Sequence, residues 1–127
     1  MYEFLAVDLG ATSGRVAIGT VDSHSITLNV VHRFLHEVVP HENGSLLWDW
    51  EKIYNEVLSG LKKASAISDP ISLAVDGWAV DYCFIDRNNK LIGDIHAYRD
   101  PRNERAFIEV IAKLGQDRIY STTGIQF

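Results

Sequence analysis

"AVDLGATSGRVAIG", residues 6–19, is the stretch that decides the fold. One apolar run ends at Gly10 and a second begins at Val16. Between them lie Ala11, Thr12, Ser13, Gly14 and Arg15, and Asp8 interrupts the first run near its end. Short apolar runs bounded by turn residues read as strands, so this stretch predicts two antiparallel strands joined by a tight turn. Gly10 and Gly14 are expected to adopt backbone conformations closed to other residues and to let a ligand approach the main chain. Thr12 and Ser13 add hydroxyl donors, and successive N–H groups in such a turn form a concavity for anions. A carboxylate at Asp8, beside that concavity, would repel phosphates unless a cation lay between them. Mg²⁺ with its waters is the expected mediator. The stretch lacks the lysine and following helix of a Walker A loop, and G-x-G-x-x-G is absent. On these residues alone, a plain hairpin whose glycines only satisfy turn geometry stays open.

Outward from this turn, Ile26, Leu28 and Val30 alternate with polar residues and predict a third strand with one buried face, running towards Leu35. The three strands read as an antiparallel meander. HENGS, 41–45, is a loop. Asp49 can cap a helix whose apolar positions are Trp50, Ile53, Tyr54, Val57, Leu61 and Ala64, with Lys62 and Lys63 in its last turn. ISLAV, 71–75, is another strand, and AVDYCFI, 79–85, pairs with KLIG across the turn DRNN. A second helix follows, with Asp100 as N-cap, Pro101 at its first position, a stripe of Ala106, Phe107, Val110, Ile111 and Leu114, and Gly115 as its stop. The final STTGIQF, 121–127, reads as an apolar run without a closing element. The architecture expected is an α/β sandwich with strands of mixed direction.

The 127 residues suffice for one domain with a core, and 46% apolar and 23% charged residues are ordinary for a globular protein. A net charge of −5 with no basic patch argues against nucleic acid as the main partner. The single cysteine, Cys83, excludes an intramolecular disulfide and fits a reducing compartment. The first residues carry Glu3 and Asp8 and no basic region, unlike a signal peptide. No apolar stretch approaches the roughly 20 residues that span a bilayer. A cytoplasmic protein without a membrane partner is expected. His32 and His36 lie in a strand-like region and do not form a helix-type metal pair.

VDGWAVD, 75–81, is the second stretch that suggests chemistry. Asp76 ends an apolar strand, at the edge where open α/β sheets bind ligands. Trp78 offers a flat apolar face and Asp81 further acceptors, a combination suited to the C–H faces and hydroxyls of sugars. On residues alone, Trp78 in the core and Asp81 capping a turn is the competing reading.

DLGATSGR resembles the first phosphate motif of the sugar-kinase, heat-shock-protein and actin superfamily, whose ribonuclease-H-like fold opens with three antiparallel strands. Within it the chain resembles the FGGY carbohydrate kinases, and among them the rhamnulokinases. AVDLGATSGRV, HRF at 32–34, VDGWAVDYCFID with HAYRDPR behind it, and TGIQF at 123–127 carry the resemblance in family order. It implies ATP and Mg²⁺ as cofactors, with phosphates on Gly10, Ala11, Thr12, Ser13, Gly14 and Arg15 and Asp8 orienting Mg²⁺ through water. It implies a sugar pocket at Asp76, Trp78, Ala79 and Asp81. Ala79 stands where rhamnulokinases carry a sugar-contacting glycine, a departure that leaves the exact ketose open. Tyr98, Asp100 and Arg102 match a further stretch near the pocket, although Asp100 already reads as a helix cap. The family's catalytic base and adenosine-binding second domain lie beyond Phe127. The expectation is therefore an incomplete first domain over 1–127, unable to turn over alone and prone to self-association. The parent would be an ATP-dependent kinase for a ketose such as L-rhamnulose in rhamnose catabolism. Kinases for fuculose, xylulose or glycerol, and a non-catalytic nucleotide- or sugar-binding module, stay open.

Overall fold

In the computed structural model, which describes residues 1–126, the opening stretch forms β1 (Tyr2–Leu9) and β2 (Ser13–Val21), followed by β3 (Ile26–Leu35). β1 and β2 are antiparallel with Asp8 opposite Arg15 and Leu9 opposite Gly14. After β3 come a short hairpin, β4 (Val38–Pro40) and β5 (Leu46–Trp48), and helix α1 (Trp50–Ser65). The chain then returns as β6 (Leu73–Asp76), parallel to β1, with Asp8 in register with Asp76. The main sheet thus has the order β3-β2-β1-β6 and mixed direction, as expected. A second hairpin, β7 (Phe84–Ile85) and β8 (Leu91–Ile92), precedes helices α2 (Arg102–Leu114) and α3 (Gln116–Thr123).

One face of the sheet is covered by α1. Successive side chains of a strand point to opposite faces, so buried Leu5 and Val7 face the helix and Asp8 does not. Leu5, Ile18 and Ala64 form one core cluster beneath α1. A second cluster of Phe34, Trp48, Ile53, Ile95 and Ala97 lies against Leu9 and Trp78, at the end of the sheet where the turn sits. Asp49 caps α1 as expected, its Oδ1 accepting the Lys52 amide at 3.1 Å.

Several expectations are corrected. Ile26 and Leu28 lie on an uncovered face, not a buried one. A bulge explains why: Val16 pairs with His32 but Ala17 with Val30, and the extra residue, Val31, shifts the alternation. His32 and Phe34 then share the face of Val16 and Gly14, under α1. Trp50 and Tyr54 of the predicted α1 stripe are exposed, whereas Gly60, outside that stripe, is buried. A Cβ on Gly60 would lie 2.4 Å from Val16 Cγ2, so the helix sits on the sheet at glycine distance.

The predicted strand 79–85 shrinks to Phe84–Ile85, because residues 79–80 form a turn. Helix α2 begins at Arg102, one residue past Pro101, and buries none of its residues. Its stripe instead lines an apolar groove of about 390 Å³ that includes Phe107, Val110, Ile111 and Ile119. The predicted terminal run instead begins inside α3, whose last residues are Ser121–Thr123, and Gly124 closes that helix in the left-handed region at φ 71°. Phe127 of the TGIQF stretch lies outside the described residues. No helix among the described residues is long and apolar enough to cross a membrane.

Candidate functional site

The turn at 10–13 is open to solvent at its tip, where Ala11 and Thr12 are exposed. The Gly10 amide donates to the Ser13 carbonyl at 2.9 Å and closes the turn. The Thr12 carbonyl accepts the His36 amide at 3.1 Å. Among the described residues, the Ala11 and Thr12 amides and the Thr12 and Ser13 hydroxyls have no partner. They form a set of donors at one tip.

The two glycines act differently from the expectation. Neither Gly10 nor Gly14 has a positive φ. Gly14 is required by packing: a Cβ there would lie 2.2 Å from Cζ of the buried Phe34 ring. At Gly10 a Cβ would stand 3.3 Å from the Ser13 carbonyl oxygen. The sequence pattern that suggests unusual backbone therefore reflects close approach instead.

Asp8 projects from β1 on the face away from α1, with its side chain 45% exposed and 3.0 Å from Arg15 Nε. Asp76, at the end of β6, occupies the parallel register position beside it. Two carboxylates from adjacent strand ends thus share one face with a guanidinium, next to a tip of hydrogen-bond donors. This donor set fits both parts of a magnesium–polyphosphate group: amides and hydroxyls for phosphate oxygens, and carboxylate oxygen for a hard cation.

The second motif meets the first through Trp78. Its indole Nε1 donates to the Gly10 carbonyl at 3.0 Å across 68 residues of sequence. Trp78 also stacks on Trp48, with ring centroids 4.1 Å apart and planes at 15°. Trp78 thus packs against the aromatic core, and one of its two ring faces is already covered. Trp48 Nε1 donates to Asp81 Oδ2 at 2.6 Å, which holds that carboxylate in place. Asp81 borders a cavity of about 280 Å³ together with Val80, Tyr82, His96, Arg102 and Asn103. Ala79 is exposed in the turn between Trp78 and Asp81.

Two further residues shape this region. His36 is fully buried, edge-on to Trp48 at 5.4 Å and to Trp78 at 5.3 Å. Burial pushes its pKa below the ordinary histidine value, against the opposing influence of the Ser13 and Gly10 carbonyls. Among the described residues, neither of its ring nitrogens has a hydrogen-bond partner. Asp100 is also buried. Burial disfavours its charge, but the Arg102 amide at 2.9 Å, His96 Nδ1 at 3.1 Å and the Leu46 amide at 2.9 Å outweigh it and hold its pKa at about 2. It therefore supports the start of α2, as the sequence suggests, and also fastens β5 and His96 to it.

Sequence reasoning missed Trp48 and His36 as parts of the site. Trp48 lies beside the cap of α1 and carries no motif. His36 was legible only as an isolated ring in a strand-like region.

No family model matches the chain. Over 124 residues it is 40% identical to a rhamnulokinase of Halalkalibacterium halodurans, a match covering 97% of this chain and 26% of the relative. Over 126 residues it is 42% identical to a rhamnulokinase of Oceanobacillus iheyensis, with the same coverage of 97% and 26%. The chain thus spans about a quarter of the length of the curated relatives it matches. Its fold is shared with a xylulose kinase from Lactobacillus acidophilus, at TM-score 0.71 and 10% identity over 95% of this chain and 24% of that one. A gluconate kinase from the same organism superposes at TM-score 0.74 and 11% identity, covering 98% of this chain and 25% of its own. Nearly from end to end, the chain is similar to the N-terminal quarter of rhamnulokinases, and it carries the mixed-sheet fold of sugar kinases.

Proposed function

We propose that the chain is the N-terminal part of the first domain of an ATP-dependent carbohydrate kinase whose substrate is a ketose, L-rhamnulose being the sugar favoured. The hydrogen bond from Trp78 to Gly10 carries this reading, because it sets a phosphate-type turn against a sugar-type motif. The rhamnulokinase relatives supply the choice of sugar.

In this reading the amides and hydroxyls of Ala11, Thr12 and Ser13 hold phosphate oxygens, with Gly10 and Gly14 shaping the turn. Arg15 stays on Asp8 and keeps that carboxylate aimed along the open face. Asp8 orients Mg²⁺ through water. When bound, the metal neutralises phosphate charge as a γ-phosphoryl group moves to a sugar hydroxyl. Asp81, held by Trp48, accepts from sugar hydroxyls, and Ala79 and the free face of Trp78 complete the wall. Asp76 stands between the two halves. The base that takes the hydroxyl proton and the adenosine-binding domain are assigned to parts of the kinase other than these residues, so the chain alone binds and does not turn over.

Amide NMR titration of the 127-residue chain tests this. Mg·ATP is expected to shift residues 8–15, and L-rhamnulose residues 76–81, with weaker responses to L-fuculose and D-xylulose. Shifts confined to other regions would refute the assignment. Phosphorylation of the sugar by the chain alone would show that the base has been misplaced.

A further inference from the structure

Resting on that functional reading, we infer that the phosphate turn and the sugar motif are coupled energetically through the Trp48–Trp78 stack, with Trp78 as the positioning residue. The turn is tied from inside at two carbonyls. Gly10 O accepts Trp78 Nε1 at 3.0 Å and Thr12 O accepts the His36 amide at 3.1 Å. The two rings behind these bonds touch edge to face, at 5.3 Å and 84°. Trp78 also lies flat on Trp48, which is 6% exposed and donates to Asp81 Oδ2 at 2.6 Å.

The path from the turn to Asp81 therefore consists of one hydrogen bond, one stacked ring pair and a second hydrogen bond. Close-packed rings cannot absorb a shift by deforming, so a displacement at one end repositions the other. His36, fully buried, lies edge-on against both indoles, 5.4 Å from Trp48 and 5.3 Å from Trp78. Phosphates drawing the Ala11 and Thr12 amides outward would pull on Gly10 O, and Trp78 and Trp48 would carry that change to the carboxylate that meets the sugar. Coupling of this kind is reciprocal for binding free energies.

The test measures the Kd of L-rhamnulose by calorimetry with and without saturating Mg·ATP, and the Kd of Mg·ATP with and without sugar, on the 127-residue chain. In the wild type the two ratios are expected to be equal and to differ from one by about fivefold or more. Trp78→Phe keeps a ring but loses the donor to Gly10, and Trp48→Phe likewise loses the donor to Asp81. Each should bring the ratio to within about twofold of one, whatever happens to either affinity alone. Trp50→Phe, on an exposed ring outside the stack, should keep the wild-type ratio. A wild-type ratio of one, or a wild-type ratio retained in Trp78→Phe, overturns the inference while leaving the functional reading intact. Failure of the wild type to bind either ligand overturns both. Should the variants not fold, the wild type still decides. Mg·ATP must shift the indole N–H resonances of Trp78 and Trp48 but not that of Trp50, and an unmoved Trp48 resonance rejects the path.

Discussion

Replacing Gly60 with alanine sets two effects of opposite sign against each other. In a helix interior, alanine is favoured over glycine by about 1 kcal/mol. Gly60 sits in α1 where the helix crosses β2, and its added Cβ would stand 2.4 Å from Val16 Cγ2, 2.9 Å from Val16 Cβ and 3.1 Å from His32 Cβ. Rotation of the valine could relieve the first contact. The second is to Val16 Cβ itself, on a residue with 0% exposure in an interior strand of the sheet. Relief there requires the helix and sheet to part. Overpacking of this kind costs up to about 3 kcal/mol, which leaves a net loss of about 2 kcal/mol after the propensity gain. With a urea slope of about 2 kcal/mol/M, the unfolding midpoint should fall by about 1 M. Far-UV circular dichroism in urea measures this, with Ser59→Ala as the control. Ser59 is exposed one position earlier and should change stability by no more than about 0.5 kcal/mol, its direction set by helix propensity. A Gly60→Ala midpoint equal to or above the wild type would refute the argument, because the helix would then not approach the sheet at glycine distance.

Other perturbations probe the caps and the site. Asp49→Ala removes the acceptor for the Lys52 amide and should cost about 1 kcal/mol in the same urea experiment. Asp100 has a folded-state pKa of about 2, below the ordinary value of 3.8, so its contribution to stability is present above about pH 4 and lost as the pH falls towards 2. Thermal unfolding followed from pH 5 to pH 2 should therefore be less steeply pH-dependent in Asp100→Asn, and an unchanged slope would contradict the assignment. Asp8→Asn should weaken Mg·ATP binding by about tenfold, the equivalent of one charge-assisted contact, while leaving binding of ATP in EDTA unchanged or improved. Calorimetry with and without the metal separates the two cases.

The elements read correctly from sequence are those specified by neighbours in the chain. The β1–β2 hairpin, the cap at Asp49 and the presence of a strand at β6 follow from short apolar runs and one carboxylate one residue before a helix, whereas the parallel pairing of β6 with β1 comes from the fold. The errors have local physical causes. The single extra residue at Val31 inverts the inward face of β3, and alternation alone cannot reveal a bulge. The glycines at 10 and 14 look like turn formers because a sequence does not disclose that a Phe34 ring lies over one of them. The α2 stripe is amphipathic in the expected way, yet amphipathicity says only that a face is apolar. What packs against it is a property of the fold.

The same division separates the two halves of the candidate site. The order of Asp8, Gly10, Thr12, Ser13 and Gly14, and the grouping of Asp76, Trp78 and Asp81, are chemical statements that the chain makes within a few residues, and they suffice to suggest phosphate and sugar. Their meeting is not such a statement. Asp8 reaches Asp76 because β1 and β6 pair in parallel, and Trp78 reaches Gly10 across 68 residues because the aromatic core at the end of the sheet brings them together. Trp48 and His36 join the site only there, since neither belongs to a motif and both are recruited by packing. Short-range chemistry follows from residue identity and spacing, whereas contacts between distant segments exist only once burial has chosen which surfaces share a core.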